Sequence, residues 1–413
     1  MTNYEQLLWR GYIKDVSNEE LAKELINHTS VKFYIGYDPT APSLHIGHLA
    51  QIVKMDFLRR LGHIPCVVIG GATGLIGDPK PTNERQLLGL EEALVNAQFI
   101  HQQIKAILGT YKTLYFNNYD WLKNIDLFTY LRDFGKHFNL NTMLAKEIVA
   151  TRLETGITYT EFSYMVLQAI DWWYLFKNHQ VNVQFGGSDQ WGNIIAGLDL
   201  IKKIEGDTKL IAFTSPLLTK SDGTKFGKSE SGTIWLDKAK TSPYELYQFL
   251  LNSSDDDVIN YLKCLTLLEK TEIEEIERVH LLEKGKRFAQ KRLAGLVVEY
   301  VHKSSGLEEA IILTNAMFNS DFIQLTKHQF AEVFKISKGK LFNENVNVID
   351  ALITFSLATS KREARELIQN KAITLNDTVI SDLEFTLSKE STYIDGYFVL
   401  KKGKKRFVVG KFI

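Results

Sequence analysis

His45 and His48, three residues apart, are the pair in this chain best placed to do chemistry together. They follow Pro42 and Ser43, which are typical of a helix start, so both imidazoles are expected on one side of the first helical turns. Gly47 between them leaves bare backbone that a flat base or a ribose can approach closely. Because a helix N-terminus attracts phosphate, the pattern predicts recognition of a nucleoside triphosphate. The alternative is that the two histidines bind a metal ion, but no Cys or third His lies close in sequence to complete such a site.

A second polar segment lies far downstream at residues 220–229 and contains three lysines and two glycines. Lys225 and Lys228 in such a loop can close over a polyphosphate. Taken alone, a loop of this kind is more often a solvated surface turn. Its occurrence together with the histidine pair favours the nucleotide interpretation.

The histidines need a strand and a helix to position them. Residues 31–40 are rich in β-branched and aromatic types and end in Asp-Pro, which predicts a strand running into a turn, and the apolar period of residues 44–61 predicts a helix. Further strands are expected at residues 64–70, 114–116 and 181–185, alternating with helical patterns. The alternation predicts a doubly wound, mostly parallel sheet that binds ligands at the carboxyl ends of its strands.

A predicted helix around residues 161–171 carries a polar row. Tyr164, Gln168 and Asp171 are spaced i, i+4 and i+7, so they share one face of a helix that is otherwise apolar. Such a row can simply face water. If it is buried, its members need partners, and a ligand with an ammonium group and a phenol would supply them.

The composition limits the class of protein. A chain of 413 residues is too long for one core and indicates two or three domains. Basic and acidic residues number 49 each, so no overall charge recruits nucleic acid. Two cysteines, Cys66 and Cys264, indicate a reducing compartment. Neither a signal peptide nor an apolar run of membrane-spanning length is recognisable, so a cytoplasmic location and no membrane partner are expected.

The last 68 residues differ from the rest in charge. Residues 346–413 hold 8 Lys and 3 Arg against 4 Asp and 4 Glu, a net charge of +3, which leaves −3 for the remainder. Ser360 to Glu363 predicts a capping box, with Lys361, Arg362 and Arg365 displayed on the first helical turns. Cations around a helix N-terminus suit RNA phosphates, although lysines that keep a tail soluble are the alternative. A second cationic strip is expected from Lys401, Lys402, Lys404, Lys405 and Arg406.

These segments resemble the signatures of one enzyme family. His45 to His48 reads HIGH, and residues 225–229 resemble the KMSKS motif, both typical of class I aminoacyl-tRNA synthetases. Residues 36–48 resemble the opening of the tyrosyl type, and residues 186–193 resemble its nucleotide and amino-acid loop. The resemblance to bacterial-type tyrosyl-tRNA synthetases runs through essentially the whole chain. It includes residues 346–413, which resemble the S4-type RNA-binding module that these enzymes carry at the C-terminus.

The resemblance implies an architecture and a reaction. It implies a Rossmann-like catalytic domain at 1–220, a KMSKS loop with an α-helical anticodon-side domain at 221–335, a linker at 336–345 and a small α+β S4-like RNA-binding domain at 346–413. The reaction would join tyrosine to tRNA(Tyr) through a tyrosyl-adenylate. ATP would be a substrate accompanied by Mg²⁺, without a tightly bound cofactor or a protein metal site. A homodimer is expected.

The resemblance also assigns site residues. Catalytic roles are assigned to Thr40, His45, His48, Arg85, Lys225 and Lys228, with Thr40 and His45 contacting the triphosphate and Lys225 and Lys228 closing over the pyrophosphate. The tyrosine site is assigned to Tyr34, Asp78, Tyr164, Gln168, Asp171, Gln184 and Gln190, with Asp171 and Tyr34 reading the phenol and Tyr164, Gln168 and Asp78 holding the ammonium. The ATP site is assigned to Gly36, Asp38, Gly47, Gly187, Asp189 and Ser229. RNA phosphates are assigned to Lys361, Arg362 and Arg365.

The chain departs from the family pattern in two places. The loop at residues 77–85 is one residue shorter than usual, with Lys80 displaced and Pro81 stiffening it. Gln51 and Ile35 occupy ribose-side positions where small polar residues are common, which predicts a shifted affinity for ATP.

Two other classes of protein share part of the pattern. A HIGH-type nucleotidyltransferase acting on a small acid has the same nucleotide site, but it does not explain the basic tail. A noncatalytic RNA-binding relative is expected to have lost one or more of four residues, and all four are present: His45, His48, Lys225 and Lys228.

Overall fold

The computed structural model describes residues 1–79, 87–153, 156–224, 226–229, 232–403 and 406–413. They form two units, one made of residues 1–242 and 246–302 and the other of residues 243–245 and 303–413. The boundary falls inside the helix Phe288–Asn319, where Lys303 has φ 64° and ψ −179° and so interrupts the helical backbone. The finer division into four parts stays a prediction.

A six-stranded sheet lies at the centre of the first unit. Its strands are β1 (Asp15–Val16), β2 (Lys32–Tyr37), β3 (Ile64–Ile69), β4 (Leu114–Asn117), β5 (Val181–Gly187) and β6 (Ile211–Ser215), in the order β1-β6-β5-β2-β3-β4. All neighbours are parallel except β1, which pairs antiparallel with β6 at the edge. The direction of winding reverses between β2 and β5, so a ligand crevice is expected at their carboxyl ends. A short hairpin of β7 (Lys228–Ser229) and β8 (Gly232–Thr233) follows later in the chain.

The sheet is covered by helices, as its apolar strands require. β6 is buried along its whole length and β3 from Pro65 onward, which is typical of parallel strands covered on both faces. Among these helices, α3 (Ile46–Arg60) and α5 (Leu90–Leu108) pack against β3, whereas α10 (Tyr159–His179) and α11 (Trp191–Glu205) cover the sheet through Trp172, Leu175 and Ile194. The helices of this part are α1 (Asn3–Trp9), α2 (Glu19–His28), α3 (Ile46–Arg60), α4 (Thr73–Ile76), α5 (Leu90–Leu108), α6 (Tyr119–Leu122), α7 (Leu127–Thr129), α8 (Leu140–Leu144), α9 (Glu147–Leu153), α10 (Tyr159–His179) and α11 (Trp191–Glu205).

Helices dominate the next stretch of the chain. They are α12 (Pro243–Leu251), α13 (Val258–Leu265), α14 (Lys270–Leu282) and α15 (Phe288–Asn319). Arg10 ties α13 to the start of the chain because its guanidinium donates to the carbonyls of Lys263 at 2.9 Å and Thr266 at 3.0 Å. A cation at the carboxyl end of a helix satisfies carbonyls that lack intrahelical partners. None of the described helices is both long enough and apolar enough to cross a membrane.

The second unit is a small α+β fold. Its helices after α15 are α16 (Lys327–Ile336), α17 (Val348–Thr354) and α18 (Lys361–Gln369), and its strands are β9 (Lys340–Phe342), β10 (Val346–Asn347), β11 (Ile373–Leu375), β12 (Thr378–Val379), β13 (Thr386–Leu387), β14 (Tyr397–Lys402) and β15 (Arg406–Phe412). The main sheet has the order β12-β11-β14-β15-β9. β9 lies within the region 336–345, predicted as a linker, and pairs parallel with β15. Phe342 explains the pairing, because its ring packs against Phe398 and Phe412 of the core.

The expected second cationic strip is only partly a surface feature. Lys401 is buried, where its ammonium contacts the Asp377 carboxylate and the Ser320 carbonyl, so it is not available to a partner. Lys402 donates to Glu363 at 2.9 Å. Alternation along β14 turns one of two successive lysines inward, which a run of basic letters does not reveal. Lys404 and Lys405 lie outside the described residues.

Candidate active site

Imidazole side chains cap the start of α3. Nδ1 of His45 accepts from the Gly47 N–H at 3.1 Å, and Nδ1 of His48 accepts from the His45 N–H at 3.2 Å. The rings stack 3.9 Å apart. Burial lowers the pKa of both, and that of His48 falls to about 3. Both imidazoles are therefore neutral at neutral pH, and since Nδ1 accepts, each must carry its proton on Nε2 as a donor.

The lysine-rich segment returns to this helix start. The Ile46 N–H donates to the Ile234 carbonyl at 2.9 Å, and His45 forms a β-bridge with Trp235. A Cβ added at Gly227 would lie 2.9 Å from a methyl group of Ile46. The two segments that suggested a nucleotide site thus meet in space. Lys225 itself lies outside the described residues, and the structure describes only the backbone of Lys228 and Ser229.

Glycine backbone lines the cavity at the end of β5 and in the first turn of α3. A Cβ on Gly187 would lie 2.5 Å from Oδ1 of Asp189, and one on Gly47 would lie 2.9 Å from Cε1 of His45. A side chain at either glycine would force the neighbouring Asp189 or His45 side chain to move. These positions leave room for a ligand to lie against the main chain.

One end of the cavity is built around a buried carboxylate, Asp171 of α10. Its Oδ1 accepts from the Trp121 indole N–H at 2.8 Å, and its Oδ2 accepts from the Asn118 carboxamide at 2.9 Å. Burial raises the pKa of Asp171 to about 7, although these two hydrogen bonds oppose the rise. Burial and the charge of Asp171 also raise the pKa of Tyr34, which keeps the phenol protonated. This end presents an acceptor and a hydroxyl suited to another hydroxyl.

Hydrogen bonds continue from this end to other residues that line the cavity. Asn118 also donates to the Thr73 hydroxyl at 2.9 Å, and Thr73 donates to Oδ1 of Asp38 at 2.8 Å. Oδ2 of Asp38 accepts from the Tyr164 hydroxyl at 2.8 Å. Burial raises the pKa of Tyr164, with Asp38 adding to the effect. The polar row predicted on α10 is therefore buried rather than facing water, and hydrogen bonds hold Tyr164 and Asp171 in place.

A second carboxylate, Asp78, is fixed by amide groups. Gln190 donates to its Oδ2 at 2.7 Å, and Asn193 donates to its Oδ1 at 3.0 Å. Among the described residues, the side-chain carbonyl oxygens of Gln168 and Gln184 are buried and have no hydrogen-bond partner. Buried acceptors without partners are costly, so a ligand that donates N–H groups would complete them.

A single cavity of about 650 Å³ brings most of the predicted residues together. The predicted residues that line it are Tyr34, Gly36, Asp38, Thr40, His45, Gly47, His48, Asp78, Tyr164, Gln168, Asp171, Gln184, Gly187, Asp189 and Gln190. Arg85, like Lys80 and Pro81, lies outside the described residues. The sequence reasoning missed Thr73, Asn118 and Trp121, which follow β3 and β4 and hold Asp38 and Asp171. A signal existed, because polar residues directly after parallel strands reach the same edge of the sheet.

The predicted RNA-binding residues lie in the second unit. Lys361, Arg362 and Arg365 are exposed on the first turns of α18, and Lys361 and Arg362 also contact Asp350 and Glu366. Ser360 caps the helix by accepting from the Glu363 N–H at 3.2 Å. The predicted capping box is not closed as expected, because the Glu363 carboxylate accepts from Thr359 at 2.7 Å instead of from Ser360. This bond and the Lys402 contact hold the pKa of Glu363 near 2.

Comparison with known proteins identifies the family. A family model described as "tRNA synthetases class I (W and Y)" matches residues 26–319, and a tyrosine–tRNA ligase C-terminal domain model matches residues 329–409. The tyrosine–tRNA ligase of Onion yellows phytoplasma is 49% identical over 98% of both chains, and tyrosine–tRNA ligase 1 of Enterococcus faecalis is 44% identical over 100% of this chain and 99% of its own.

Solved structures give the same result. A C-terminally truncated mitochondrial tyrosyl-tRNA synthetase of Coccidioides posadasii has a TM-score of 0.67 at 33% identity, covering 75% of this chain and 91% of its own. A tyrosyl-tRNA synthetase of Archaeoglobus fulgidus, with a TM-score of 0.57 at 16% identity over 74% of this chain and all of its own, supports the fold alone. The chain belongs to the tyrosine–tRNA ligase family of class I tRNA synthetases.

Proposed function

We propose that this chain is a tyrosine–tRNA ligase in which the cavity of the first unit binds tyrosine and ATP side by side. The tyrosine carboxylate attacks the α-phosphate of ATP, a bond forms between that oxygen and phosphorus, and pyrophosphate leaves. The 3′-terminal adenosine of tRNA(Tyr) then takes the tyrosyl group and releases AMP. The observation that carries the proposal is the polar network that begins at Asp171 and runs along a cavity whose other end is the start of α3.

The Asp171 end suits the phenol of tyrosine. The Asp171 carboxylate would accept a hydrogen bond from the substrate hydroxyl. The Tyr34 hydroxyl would form a second hydrogen bond with the same substrate oxygen. Phenylalanine would leave both buried groups without this partner, which costs more than the loss of apolar packing. Hydroxyl reading of this kind rejects analogues strongly, as tyrosyl-tRNA synthetases themselves exemplify.

The middle of the cavity suits an ammonium group. The open carbonyl oxygens of Gln168 and Gln184 require donors, and an α-ammonium carries three. Asp78 and the hydroxyl of Tyr164 lie in the same cavity. Together they would orient tyrosine so that its carboxylate points toward the start of α3.

The α3 end suits a triphosphate. Neutral His45 and His48 present Nε2 donors at a helix N-terminus, where phosphate is favoured, and Thr40 lines the same region. Catalysis would come from positioning and from stabilising charge on the transferring phosphorus and the leaving group. Within the proposal, Lys225, Lys228 and Arg85 act on the pyrophosphate, and Gly36, Gly187, Asp189, Gln190 and Ser229 belong to the nucleotide and tyrosine contacts.

Magnesium belongs to the substrate in this proposal. Among the described residues, no group of three or more His, Cys, Asp or Glu is arranged to hold a metal ion. In the proposal, Mg²⁺ arrives on the triphosphate, as it commonly does. A cytoplasmic location, where charged tRNA is used, is part of the same proposal.

A homodimer is also proposed. Leu127, Phe128, Leu131 and Leu140 are each at least half exposed in the first unit. They fall within 14 residues of sequence, and exposed apolar patches are typical of a protein interface. Sedimentation equilibrium should give twice the chain mass, and charged substitutions at Leu127 and Phe128 should return it to the monomer mass. A wild-type monomer at micromolar concentration would contradict the proposal.

Two assays on the purified protein test the function. Labelled pyrophosphate should exchange into ATP when tyrosine is present and not when tryptophan replaces it. Tyrosine should then be attached to tRNA(Tyr) in an ATP-dependent reaction. Pyrophosphate exchange without attachment of tyrosine to tRNA(Tyr) would contradict the second step of the proposal. Absence of both reactions would contradict the proposed function as a whole.

A further inference from the structure

Lys54 is a buried cation that the proposed reaction does not use. It lies on α3 between the histidines and the end of the helix, and only 2% of it is exposed. No carboxylate of the described residues lies within ion-pair distance of its ammonium. Lysine is almost never fully buried without a paired charge, so its position calls for a reason other than packing.

The ammonium belongs to a small closed network. It donates to Oε1 of Gln51 at 3.2 Å and also contacts the Ser215 hydroxyl at the end of β6. Nε2 of Gln51 donates to the same hydroxyl at 3.3 Å, and Ser215 donates in turn to the Gly186 carbonyl at 3.3 Å. Ser215 has thus used its one donor and both acceptor positions. The network fixes which end of the Gln51 carboxamide carries the oxygen.

Gln51 lines the cavity one helical turn after Gly47. It therefore stands at the nucleotide end of the cavity, on the same helix that begins at His45. After its bonds to Lys54 and Ser215, its carboxamide retains one N–H and one lone pair. A donor and an acceptor side by side match a ribose hydroxyl, which also donates and accepts.

We propose that Lys54 is a positioning residue for ATP, which acts by holding the Gln51 carboxamide in the orientation that meets the ribose. The inference rests on the proposed function, since it assumes that the nucleotide lies at this end of the cavity. Lys54 itself does not touch substrate. A rotated or mobile carboxamide would lose the match, so nucleotide affinity depends on a residue one layer behind the cavity wall.

The surroundings of Lys54 make its charge responsive to pH. Burial lowers its pKa to about 7, and the thiol of Cys264 on α13 acts in the opposite direction. The other facing groups are the rings of Tyr12 at 5.5 Å and Phe185 at 5.6 Å, and the Arg10 guanidinium lies 6.0 Å from the Tyr12 ring. None of these groups is a carboxylate. The ammonium form, and with it the stronger hold on Gln51, is therefore lost as pH rises through about 7.

Pyrophosphate exchange with Lys54→Met, Gln51→Met and the double variant tests the inference. Each single change should raise the KM for ATP roughly fivefold, the size expected for one oriented hydrogen bond, and should leave the KM for tyrosine unchanged. The double variant should be no worse than Gln51→Met alone, because both changes remove the same interaction. Lys54→Met should change the Tm little, because the removal of a buried charge offsets the loss of its hydrogen bonds to Gln51 and Ser215. Lys32→Met, at the start of β2, is the matched control and should change neither KM.

The pH dependence of the KM for ATP is a second test of the inference. The wild-type KM for ATP should rise as pH rises through about 7, and the rise should be absent in both single variants. If Lys54→Met does not fold, the pH dependence of the KM for ATP in wild type and in Gln51→Met still tests the inference. Additive effects in the double variant, equal changes in both KM values, or a pH profile that Gln51→Met retains would each overturn the inference. Failure of the proposed function is distinct, because wild type itself would then show no tyrosine-dependent exchange.

Discussion

The carboxamide nitrogen of Asn118 lies 2.9 Å from Oδ2 of Asp171 and is fully engaged, because its second N–H donates to Thr73. Its oxygen accepts from the Ala72 N–H at 2.8 Å, so no rotation of the group would satisfy the site better. Through Thr73 the network reaches Asp38. The two ends of the proposed tyrosine site are therefore held by one connected set of buried hydrogen bonds, and the orientation of Asp171 is fixed before substrate arrives.

Removal of the indole donor to Asp171 should weaken tyrosine binding. Trp121→Phe keeps most of the ring that stacks on Tyr174 but leaves Oδ1 of Asp171 without its partner. We expect the KM for tyrosine to rise roughly tenfold, as for loss of a hydrogen bond to a charged group, with the KM for ATP unchanged. Trp173→Phe is the control, because its indole bonds Glu205 instead. Equal effects of the two substitutions would contradict the role given to Trp121.

Asp171 should make the stability of the free protein depend on pH. Burial raises its pKa from 3.8 to about 7, so between these values the folded state holds a proton that the unfolded state has released. Stability should therefore fall as pH rises from about 4 to about 7, and Asp171→Asn should lack this contribution. Urea unfolding of both proteins across this range measures the difference. Parallel pH profiles for wild type and variant would show that Asp171 is ionised throughout.

His45 caps α3, and the proposed reaction gives it a second task that substitution can separate from the first. Asn at this position can still cap α3 by accepting from Gly47, but it lacks the Nε2 donor, whereas Ala lacks both. We expect His45→Asn to slow pyrophosphate exchange roughly 100-fold with little change in Tm, and His45→Ala to lower both the rate and the Tm. Exchange at the wild-type rate in His45→Asn would remove this histidine from the reaction.

The cations at the start of α18 should matter for tRNA and not for adenylate formation. Combined Lys361→Ala, Arg362→Ala and Arg365→Ala should leave pyrophosphate exchange unchanged and raise the KM for tRNA. The salt dependence of tRNA binding should become shallower by about one for each phosphate that is no longer neutralised. Lys389→Ala, an exposed lysine elsewhere in this unit, should have little effect. If the triple variant binds tRNA with an unchanged salt dependence, these cations are only solubilising.

The elements with strong local patterns were predictable. The β-branched run of residues 31–40 contains β2, and the apolar period from Leu44 predicted α3 to within two residues at its start. The spacing of Tyr164, Gln168 and Asp171 correctly placed three polar groups on one face of α10. These predictions depend on nearest neighbours along one helix or strand, which is the information that a sequence carries directly.

The groups that fix the site were not predictable from local patterns. Asn118 and Trp121 act on Asp171 from about 50 residues away, a distance that only the sheet order closes. The inward turn of Lys401 depends on the register of β14 with its neighbours. The partner of Glu363 depends on the backbone one residue before the helix cap. Each of these features is set by tertiary packing, which a pattern of letters does not contain.

The ratio of tyrosine to phenylalanine activation, compared between wild type and Asp171→Asn, shows whether the Asp171 carboxylate reads the phenol. Exchange of labelled pyrophosphate gives kcat/KM for each amino acid. We expect wild type to favour tyrosine strongly and Asp171→Asn to lose roughly 10- to 100-fold of that preference, mainly through tyrosine, because the phenol loses a charged acceptor. An unchanged ratio in Asp171→Asn would contradict the claim that this carboxylate reads the hydroxyl.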